Sequence, residues 1–325
     1  MKRLLSVLAV AALASAPACG QNQEGRGRSQ SLKGTVKIDG SSTVLPLSEA
    51  VGEEFHKVAP RVNVTVGSSG TGGGFKRFAH GEVDIADASR PIKKEEHLAA
   101  AQENIEYIEL PVALDGLTII VNPRNTWVDS LTVAEVQTIF LEPGAGTWNQ
   151  VRAGWPAQPI KLYIPGTDSG TFDYFKEVVA GKDRTVRADA SASEDDNVLV
   201  RGVGGDINGI GFFGAAYYFE NQDKLRAVPI DGGAGPVAPS AKTIQDGTYA
   251  PFTRPLFIYV SRKAAARPEV RAFVGYYLET AGKFATEVGY VPLPDELYAR
   301  AKANFAAGKT GTAYLDEKGE KVSGP

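Results

Sequence analysis

The chain has 325 residues, of which 43% are hydrophobic and 22% are charged, and these values are ordinary for a globular protein. They exclude a disordered or collagen-like chain. A formal net charge of −3 excludes the basic surface with which many proteins hold nucleic acid, so any bound anion must be held by local groups. The single cysteine excludes an internal disulfide, and the length favours about two domains.

The N-terminal residues have the pattern of a secretory signal peptide. Lys2 and Arg3 precede an apolar run over residues 4–14, which is too short to cross a bilayer as a helix. We therefore predict a signal peptide over residues 1–18. This prediction places the mature protein on the periplasmic or cell-surface side of a bacterial cytoplasmic membrane.

The only cysteine, Cys19, follows this segment directly. Residues 16–20 read APACG, which resembles the lipobox at which bacterial lipoproteins are cleaved and acylated on the new N-terminal cysteine. The resemblance implies a lipidated Cys19, with plain signal cleavage as the alternative. Residues 19–34 are polar and nearly free of apolar side chains, so we expect a flexible tether between the membrane and the folded domain.

From Thr35 onward, short β-rich runs alternate with helical patterns, which is typical of an α/β protein with a mostly parallel sheet. The predicted strands cover residues 36–39, 62–66, 84–86, 105–110, 117–121, 160–164, 210–213 and 256–260. Apolar residues at helical spacing predict helices between these strands. Thr132 and Glu135 have the spacing of a capping box, which predicts a helix start there.

Four polar loops lie where a predicted strand ends and a helix begins. They comprise residues 39–43 (DGSST), 67–74 (GSSGTGGG), 87–91 (DASRP) and 165–171 (PGTDSGT). Such loops expose unpaired backbone N–H groups at the positive end of a helix dipole, glycine lets a ligand approach the backbone, and hydroxyls add neutral donors. A single hydroxyl of this kind is usually a helix cap, but four loops can converge at the carboxyl edge of an open α/β sheet. The pattern favours a site for a small oxyanion.

Nucleotide-binding and hydrolase motifs do not fit this sequence. Phe75 stands where a dinucleotide fingerprint that starts at Gly70 requires glycine, and no Walker A lysine follows. No G-x-S-x-G elbow is present, and the single cysteine leaves no zinc-like cluster. The three histidines are interpreted as solvated residues rather than as a catalytic base: His56, His80 and His97. We therefore predict no enzyme activity, no metal and no cofactor.

The four loops and their flanking residues resemble, in the same order, the motifs of the PstS family, the phosphate-binding proteins of phosphate ABC transporters. The matching segments are GSSTVLP (40–46), SGTGGGF (69–75), DIADASRP (84–91) and PGTDSGTFDYF (165–175). Further similarity lies in ALDGL (113–117), EDDNVLV (194–200) and GIGFFG (209–214). The resemblance covers about residues 36–260 and is specific as a set of motifs.

This resemblance implies an α/β, two-lobed periplasmic-binding-protein fold, type II-like, with the ligand cleft between lobes that two crossover segments join. Lobe 1 is expected to comprise residues 35–112 and 258–325, and lobe 2 residues 113–257. The crossings are expected near residues 111–117 and 254–259. Because three polar loops precede the first crossing and the fourth follows it, a bound anion must bridge the two lobes.

The resemblance also implies which residues bind phosphate. The implied ligands are Ser42, Thr43 and Ser69 from one lobe, and Ser169, Gly170 and Thr171 from the other.

The sequence departs from the better-known family members at two places. Those members have an aspartate that accepts the proton of hydrogen phosphate and an arginine shortly before the Ser-Gly-Thr motif, where this chain has Ser89 and Pro165. We expect Arg90 to supply the cation and Asp168 the proton acceptor, with Ser89 as a further ligand. Alternatively, Arg90 pairs with a neighbouring carboxylate, and Asp168 only shapes its turn.

The function implied by the resemblance is that of a lipid-anchored receptor, which delivers inorganic phosphate to the permease and ATPase components of an ABC importer. Two alternatives stay open. One is the same fold binding another oxyanion, such as sulfate or molybdate, and the other is a phosphatase-like, phosphate-scavenging surface protein. The proton acceptor separates phosphate from sulfate, because hydrogen phosphate carries a proton that ionised sulfate lacks.

Overall fold

In the computed structural model, which describes residues 32–316 except 168, 182 and 194, two long neighbouring strands organise the chain. They are β4 (Tyr107–Val121) and β12 (Thr253–Ser261), which pair antiparallel. The shorter strands are β1 (Gly34–Gly40), β2 (Val62–Gly67), β3 (Ile85–Ala88), β5 (Leu131–Thr132), β6 (Lys161–Pro165), β7 (Ser191–Ser193), β8 (Gly209–Gly214), β9 (Arg226–Ala227), β10 (Ile230–Asp231) and β11 (Pro236–Val237).

The main sheet has the strand order β2-β1-β3-β12-β4-β8-β6-β7, with β9 also paired to β4. Strand β4 pairs with β12 as far as Gly116 and with β8 from Leu117 onward, so the two long strands join two halves of the sheet. We call the part of the protein around β1, β2 and β3 lobe 1, and the part around β6, β7 and β8 lobe 2. The predicted two-lobed α/β architecture is confirmed, whereas the residue boundaries proposed for the lobes stay a prediction.

Two details of the sheet differ from the prediction. The strands predicted over residues 105–110 and 117–121 are one continuous strand, because Asp115 and Gly116 lie buried inside β4 and do not form a turn. The sheet is also mixed rather than mostly parallel: the β1–β2, β1–β3, β6–β7 and β6–β8 pairs are parallel, whereas β12 and β4 pair antiparallel with their neighbours. A strand that returns the chain from lobe 2 to lobe 1 must run opposite to the strand that left lobe 1.

Helices connect the strands. They are α1 (Leu45–Val58), α2 (Gly70–Ala79), α3 (Lys94–Gln102), α4 (Val133–Phe140), α5 (Trp148–Val151), α6 (Gly170–Phe175), α7 (Asp196–Gly205), α8 (Ala215–Glu220), α9 (Ala241–Gln245), α10 (Arg262–Ala265), α11 (Pro268–Glu287) and α12 (Asp295–Ala307). A π-helical turn, Lys176–Ala180, continues α6. The predicted capping box is confirmed, since the Thr132 hydroxyl accepts the Glu135 N–H at 3.2 Å at the start of α4.

Aromatic packing fixes the helices that carry the polar loops. In lobe 1, Phe55 of α1 packs edge-on against Phe273 of α11, with ring centroids 5.4 Å apart. In lobe 2, Phe175 at the end of α6 stacks on Phe212 of β8, with ring centroids 4.0 Å apart. All four rings are buried, and each such burial contributes about 1.5–3 kcal/mol. These contacts hold α1 against α11 and the end of α6 against β8.

The predicted signal peptide, Cys19 and almost all of the predicted tether lie outside the described residues. Within residues 32–316, apart from the three gaps, no helix has both the length and the apolar content of a membrane span.

Candidate anion-binding site

The four polar loops lie at the carboxyl ends of four strands and meet in one cleft. Loops 39–43, 67–74 and 87–91 follow β1, β2 and β3, which are parallel neighbours, so they share one edge of lobe 1. Loop 165–171 follows β6 in lobe 2. The Thr43 hydroxyl lies 3.4 Å from the Gly170 carbonyl oxygen, to which it donates. The loops of the two lobes are therefore in contact.

The lobe 1 loops support one another through backbone contacts. Ser41 donates its N–H to the carbonyl oxygen of Asp87 at 2.9 Å. A Cβ at Gly40, where φ is +149°, would lie 2.1 Å from that oxygen, so only glycine permits this approach. Ser69 donates its N–H to a carboxylate oxygen of Asp39 at 2.9 Å. These contacts hold the first, second and third loops together.

Ser89 and Thr71 make a further link between the third and second loops. The Ser89 N–H donates to the Thr71 hydroxyl oxygen at 3.2 Å, and the two hydroxyl oxygens lie 3.1 Å apart. Thr71 belongs to the first turn of α2, where backbone N–H groups have no acceptor within the helix. Ser69, the residue before this helix, is exposed. Of the predicted ligands, Ser69 and Ser89 therefore border the same helix start.

The fourth loop brings Ser169, Gly170 and Thr171 to the opposite wall of the cleft. The Ser169 hydroxyl accepts the Thr171 N–H at 3.2 Å and thus caps α6, which is the common role of such a hydroxyl. A Cβ at Gly170 would lie 2.5 Å from Thr43 Oγ1 and 2.8 Å from Thr43 Cα. Glycine at this position therefore permits the close approach of the lobes.

Arg254 on β12 lies between the two walls and is not among the residues predicted from the sequence. Its Nη2 donates to the Thr43 hydroxyl at 3.0 Å and to the Gly170 carbonyl oxygen at 3.1 Å. Asp115 on β4 accepts hydrogen bonds from Nε at 3.2 Å and Nη2 at 3.1 Å. Only 7% of Arg254 and 1% of Asp115 are exposed. The sequence does contain a signal for this pair. Each of the two apolar segments predicted as crossings carries one charged residue, Asp115 in the first and Arg254 in the second.

Burial raises the pKa of the Asp115 carboxyl, and the guanidinium of Arg254 opposes that shift. A buried pair of this kind is costly to break, because the remaining partner is left as an uncompensated charge.

Arg90, the predicted cation of the site, forms a bidentate ion pair with Glu96 of α3. The Nη1–Oε2 and Nη2–Oε1 distances are 2.8 Å and 2.7 Å. The guanidinium also lies over the ring of Phe75, 5.7 Å from its centroid. This is the carboxylate pairing that the sequence left open as the alternative. A direct contact between Arg90 and phosphate stays a prediction.

Asp87, at the start of the third loop, is fully buried and forms its side-chain hydrogen bond to helix α1. Its Oδ2 accepts from the Ser48 hydroxyl at 2.7 Å, and that hydroxyl lies 3.1 Å from the hydroxyl of Tyr277. Its Oδ1 has no hydrogen-bond partner among the residues that the structure describes. Burial raises the pKa of Asp87 to about 8. A carboxyl with this pKa is mainly in its neutral, protonated form at neutral pH.

Two predicted site features remain to be placed. Ser42 lies in the first loop beside Thr43 and is partly exposed. Asp168, the predicted proton acceptor, lies outside the described residues. In the described part of the chain, no cluster of three or more His, Cys, Asp or Glu side chains is placed to hold a metal ion.

Comparison with known proteins connects this chain to a family. A family model described as "PBP superfamily domain" matches residues 22–280. Protein SphX of Synechococcus elongatus is 54% identical over 283 residues, which cover 86% of this chain and 83% of SphX. Phosphate-binding protein PstS of Staphylococcus aureus is 41% identical over 283 residues, which cover 86% of this chain and 85% of that protein.

The fold is also similar to that of a solved structure. The crystal structure of a possible phosphate binding protein from Planctomyces limnophilus is 43% identical and has a TM-score of 0.82, covering 86% of this chain and 100% of that one.

Proposed function

This chain belongs to the PstS family within the PBP superfamily, and from that membership we propose that it is an extracytoplasmic receptor, which binds inorganic phosphate and delivers it to an ABC importer. Its relatives include a protein named for phosphate binding, and the match spans most of both chains.

The observation that carries this proposal is the meeting of donor loops from two lobes around one buried cation. Thr43 of lobe 1 and Gly170 of lobe 2 contact the same nitrogen of Arg254. Helices begin at Gly70 and Gly170 within two of these polar loops, and the N–H groups of a helix's first turn have no acceptor within the helix. A small tetrahedral oxyanion with four oxygens can accept from such donors on both sides. Closure of the lobes would then bury it.

We propose that the protein binds phosphate without transforming it. The Staphylococcus aureus relative is named as a phosphate-binding protein. The polar loops supply hydrogen-bond donors rather than a nucleophile with a base. The same proposal extends to its cellular setting: a signal peptide over residues 1–18, a lipid on Cys19, and membrane permease and ATPase components as partners.

Titration calorimetry of the mature protein with phosphate, sulfate and molybdate tests the proposal. We expect a one-to-one complex with phosphate and much weaker binding of the other two anions. The absence of heat with phosphate, a preference for sulfate or molybdate, or turnover of a phosphomonoester would each contradict the proposed function. The last outcome would favour the phosphatase-like alternative.

A further inference from the structure

The candidate site requires a positive group that is available to a bound anion. Phosphate carries one or two negative charges near neutral pH, and burying such a charge without compensation is expensive. The guanidinium of Arg90 is occupied through both terminal nitrogens by Glu96. The cation that faces an anion beside the contact of Thr43 with Gly170 is therefore to be sought elsewhere in the cleft.

Arg254 has the position that such a cation needs. It is the side chain that contacts the first loop through the Thr43 hydroxyl and the fourth loop through the Gly170 carbonyl oxygen, at 3.0 Å and 3.1 Å. It extends from β12, one of the two strands that connect the lobes. Its charge is therefore placed where the two walls meet, and low exposure strengthens its electrostatic effect.

The orientation of the guanidinium is fixed by two further groups. Asp115 holds its Nε and Nη2 edge through hydrogen bonds of 3.2 Å and 3.1 Å. The ring of Tyr174 lies against its face, with the guanidinium carbon 3.9 Å from the ring centroid. Tyr174 is itself held by a hydrogen bond of 2.8 Å from its hydroxyl to the carbonyl oxygen of Pro251. The planar group therefore cannot turn freely.

This arrangement leaves the Nη1 nitrogen for a ligand. Nε and Nη2 make the hydrogen bonds to Asp115, Thr43 and Gly170, whereas Nη1 carries two further N–H donors. Its ion-pair contact within the described residues is Glu177 Oε2 at 3.8 Å, which is beyond hydrogen-bond distance. The side chain of Glu177 is 54% exposed and can turn toward solvent. An arriving anion oxygen can thus replace this carboxylate.

We infer that Arg254 is an anion-binding residue of the cleft: its Nη1 donates to the bound phosphate, and Asp115 acts as the positioning residue that orients the guanidinium. This assignment rests on the proposed phosphate-binding function. It makes a strand that joins the lobes, rather than a loop, the source of the cation.

The first test compares Arg254→Gln and Arg254→Lys with a charge-matched control, Arg262→Gln. In this control an exposed arginine, the first residue of α10, loses its pairing with Glu106. Calorimetry with phosphate should show wild-type affinity in the control and about 10- to 150-fold weaker binding in Arg254→Gln. Arg254→Lys should also lose at least about tenfold, because one ammonium cannot contact Asp115 and the anion as the guanidinium does. Wild-type affinity in both Arg254 variants would overturn the assignment.

A second test separates anion binding from a purely structural role. Arg254→Gln alone leaves Asp115 buried and unpaired, so a loss of binding could reflect damage to the fold. The double variant Asp115→Asn with Arg254→Gln removes both charges and should regain the ligand-free melting temperature. If Arg254 contacts the anion, phosphate binding stays at least about tenfold weaker in this variant. If the double variant binds as the wild type does, the role is structural and the inference is wrong.

The outcomes also separate this inference from the proposed function. If the wild type and Arg262→Gln give no heat with phosphate, the proposed function itself fails. If both bind phosphate and the Arg254 variants bind equally well, only the role of Arg254 fails. If the double variant does not fold, the phosphate affinity of Arg254→Lys decides between a structural role and anion binding, because this variant retains the charge that pairs with Asp115.

Discussion

Gly170→Ala tests whether the two lobes close on each other at Thr43. A Cβ at Gly170 would lie 2.8 Å from Thr43 Cα, whereas ordinary contacts begin at 3.4 Å, so the two loops must separate by about 0.6 Å. The closest atom, Thr43 Oγ1, would lie at 2.5 Å and is held by Arg254. Rotation of the Thr43 side chain alone cannot relieve the contact, because the backbone carbon is also too close.

The added methyl group raises the free energy of the closed form. Inserting one methyl group into a well-packed contact costs about 1–3 kcal/mol, which corresponds to about 5- to 150-fold in phosphate affinity if binding requires closure. An open form would not suffer, because Gly170 is the first residue of α6 and has no left-handed φ. Alanine is also a better helix former than glycine by up to about 1 kcal/mol.

Calorimetry with phosphate measures the effect, and melting of the ligand-free protein separates it from damage to the fold. Gly275→Ala in α11 is the matched control, since a Cβ at Gly275 would meet no atom within 4 Å. We expect weaker phosphate binding only in Gly170→Ala, and less compaction by small-angle scattering at equal saturation. Wild-type affinity in Gly170→Ala, with an unchanged scattering profile, would refute the contact between Gly170 and Thr43 as a condition of binding.

Three further predictions concern a buried acid, the proton acceptor and the N-terminus. Because the pKa of Asp87 is raised to about 8, the folded state keeps a proton that the unfolded state releases from about pH 4 upward, so stability should fall as pH rises from about 4 to about 8. Asp87→Asn should remove this contribution, which is up to about 1.4 kcal/mol of unfolding free energy per pH unit. Urea unfolding at pH 5 and pH 8 measures the change, and equal pH dependence in the wild type and the variant would contradict the prediction. Asp168→Asn should weaken phosphate about 10- to 150-fold while sulfate gains, as measured by calorimetry, and an unchanged preference would place the acceptor elsewhere. Mass spectrometry of the protein exported by a bacterial host should find an acylated N-terminal Cys19, whereas a free Cys19 thiol would favour plain cleavage.

Local signals predicted much of this fold. Thr132 and Glu135 define the start of α4 by their own side chains, and the four loops read as strand-to-helix junctions because glycine and hydroxyl residues determine such turns locally. The position of the loops at one cleft follows from the alternation of strands and helices.

The features that the sequence did not reveal depend on residues far apart in the chain. Asp115 and Gly116 have the composition of a turn, yet they lie within a strand because Arg254, 139 residues later, neutralises the carboxylate. Arg90 has the charge and the loop position expected of an anion ligand. Only its distance to Glu96 shows that its guanidinium is already paired. Each outcome is decided by a partner that periodicity and turn propensity do not identify.

The two walls of the cleft differ in how firmly they are built. Lobe 1 contributes three loops that brace one another, with Gly40 pressed against Asp87 and Ser69 anchored to Asp39. Lobe 2 contributes one loop, which continues through α6 into a π-helical turn. A diffusing anion therefore meets three mutually braced loops on one side and a single loop on the other. We expect the association rate to depend mainly on lobe 1 and the dissociation rate on how often lobe 2 swings away, so that the residence time of the ligand is set by the lobe that binds second.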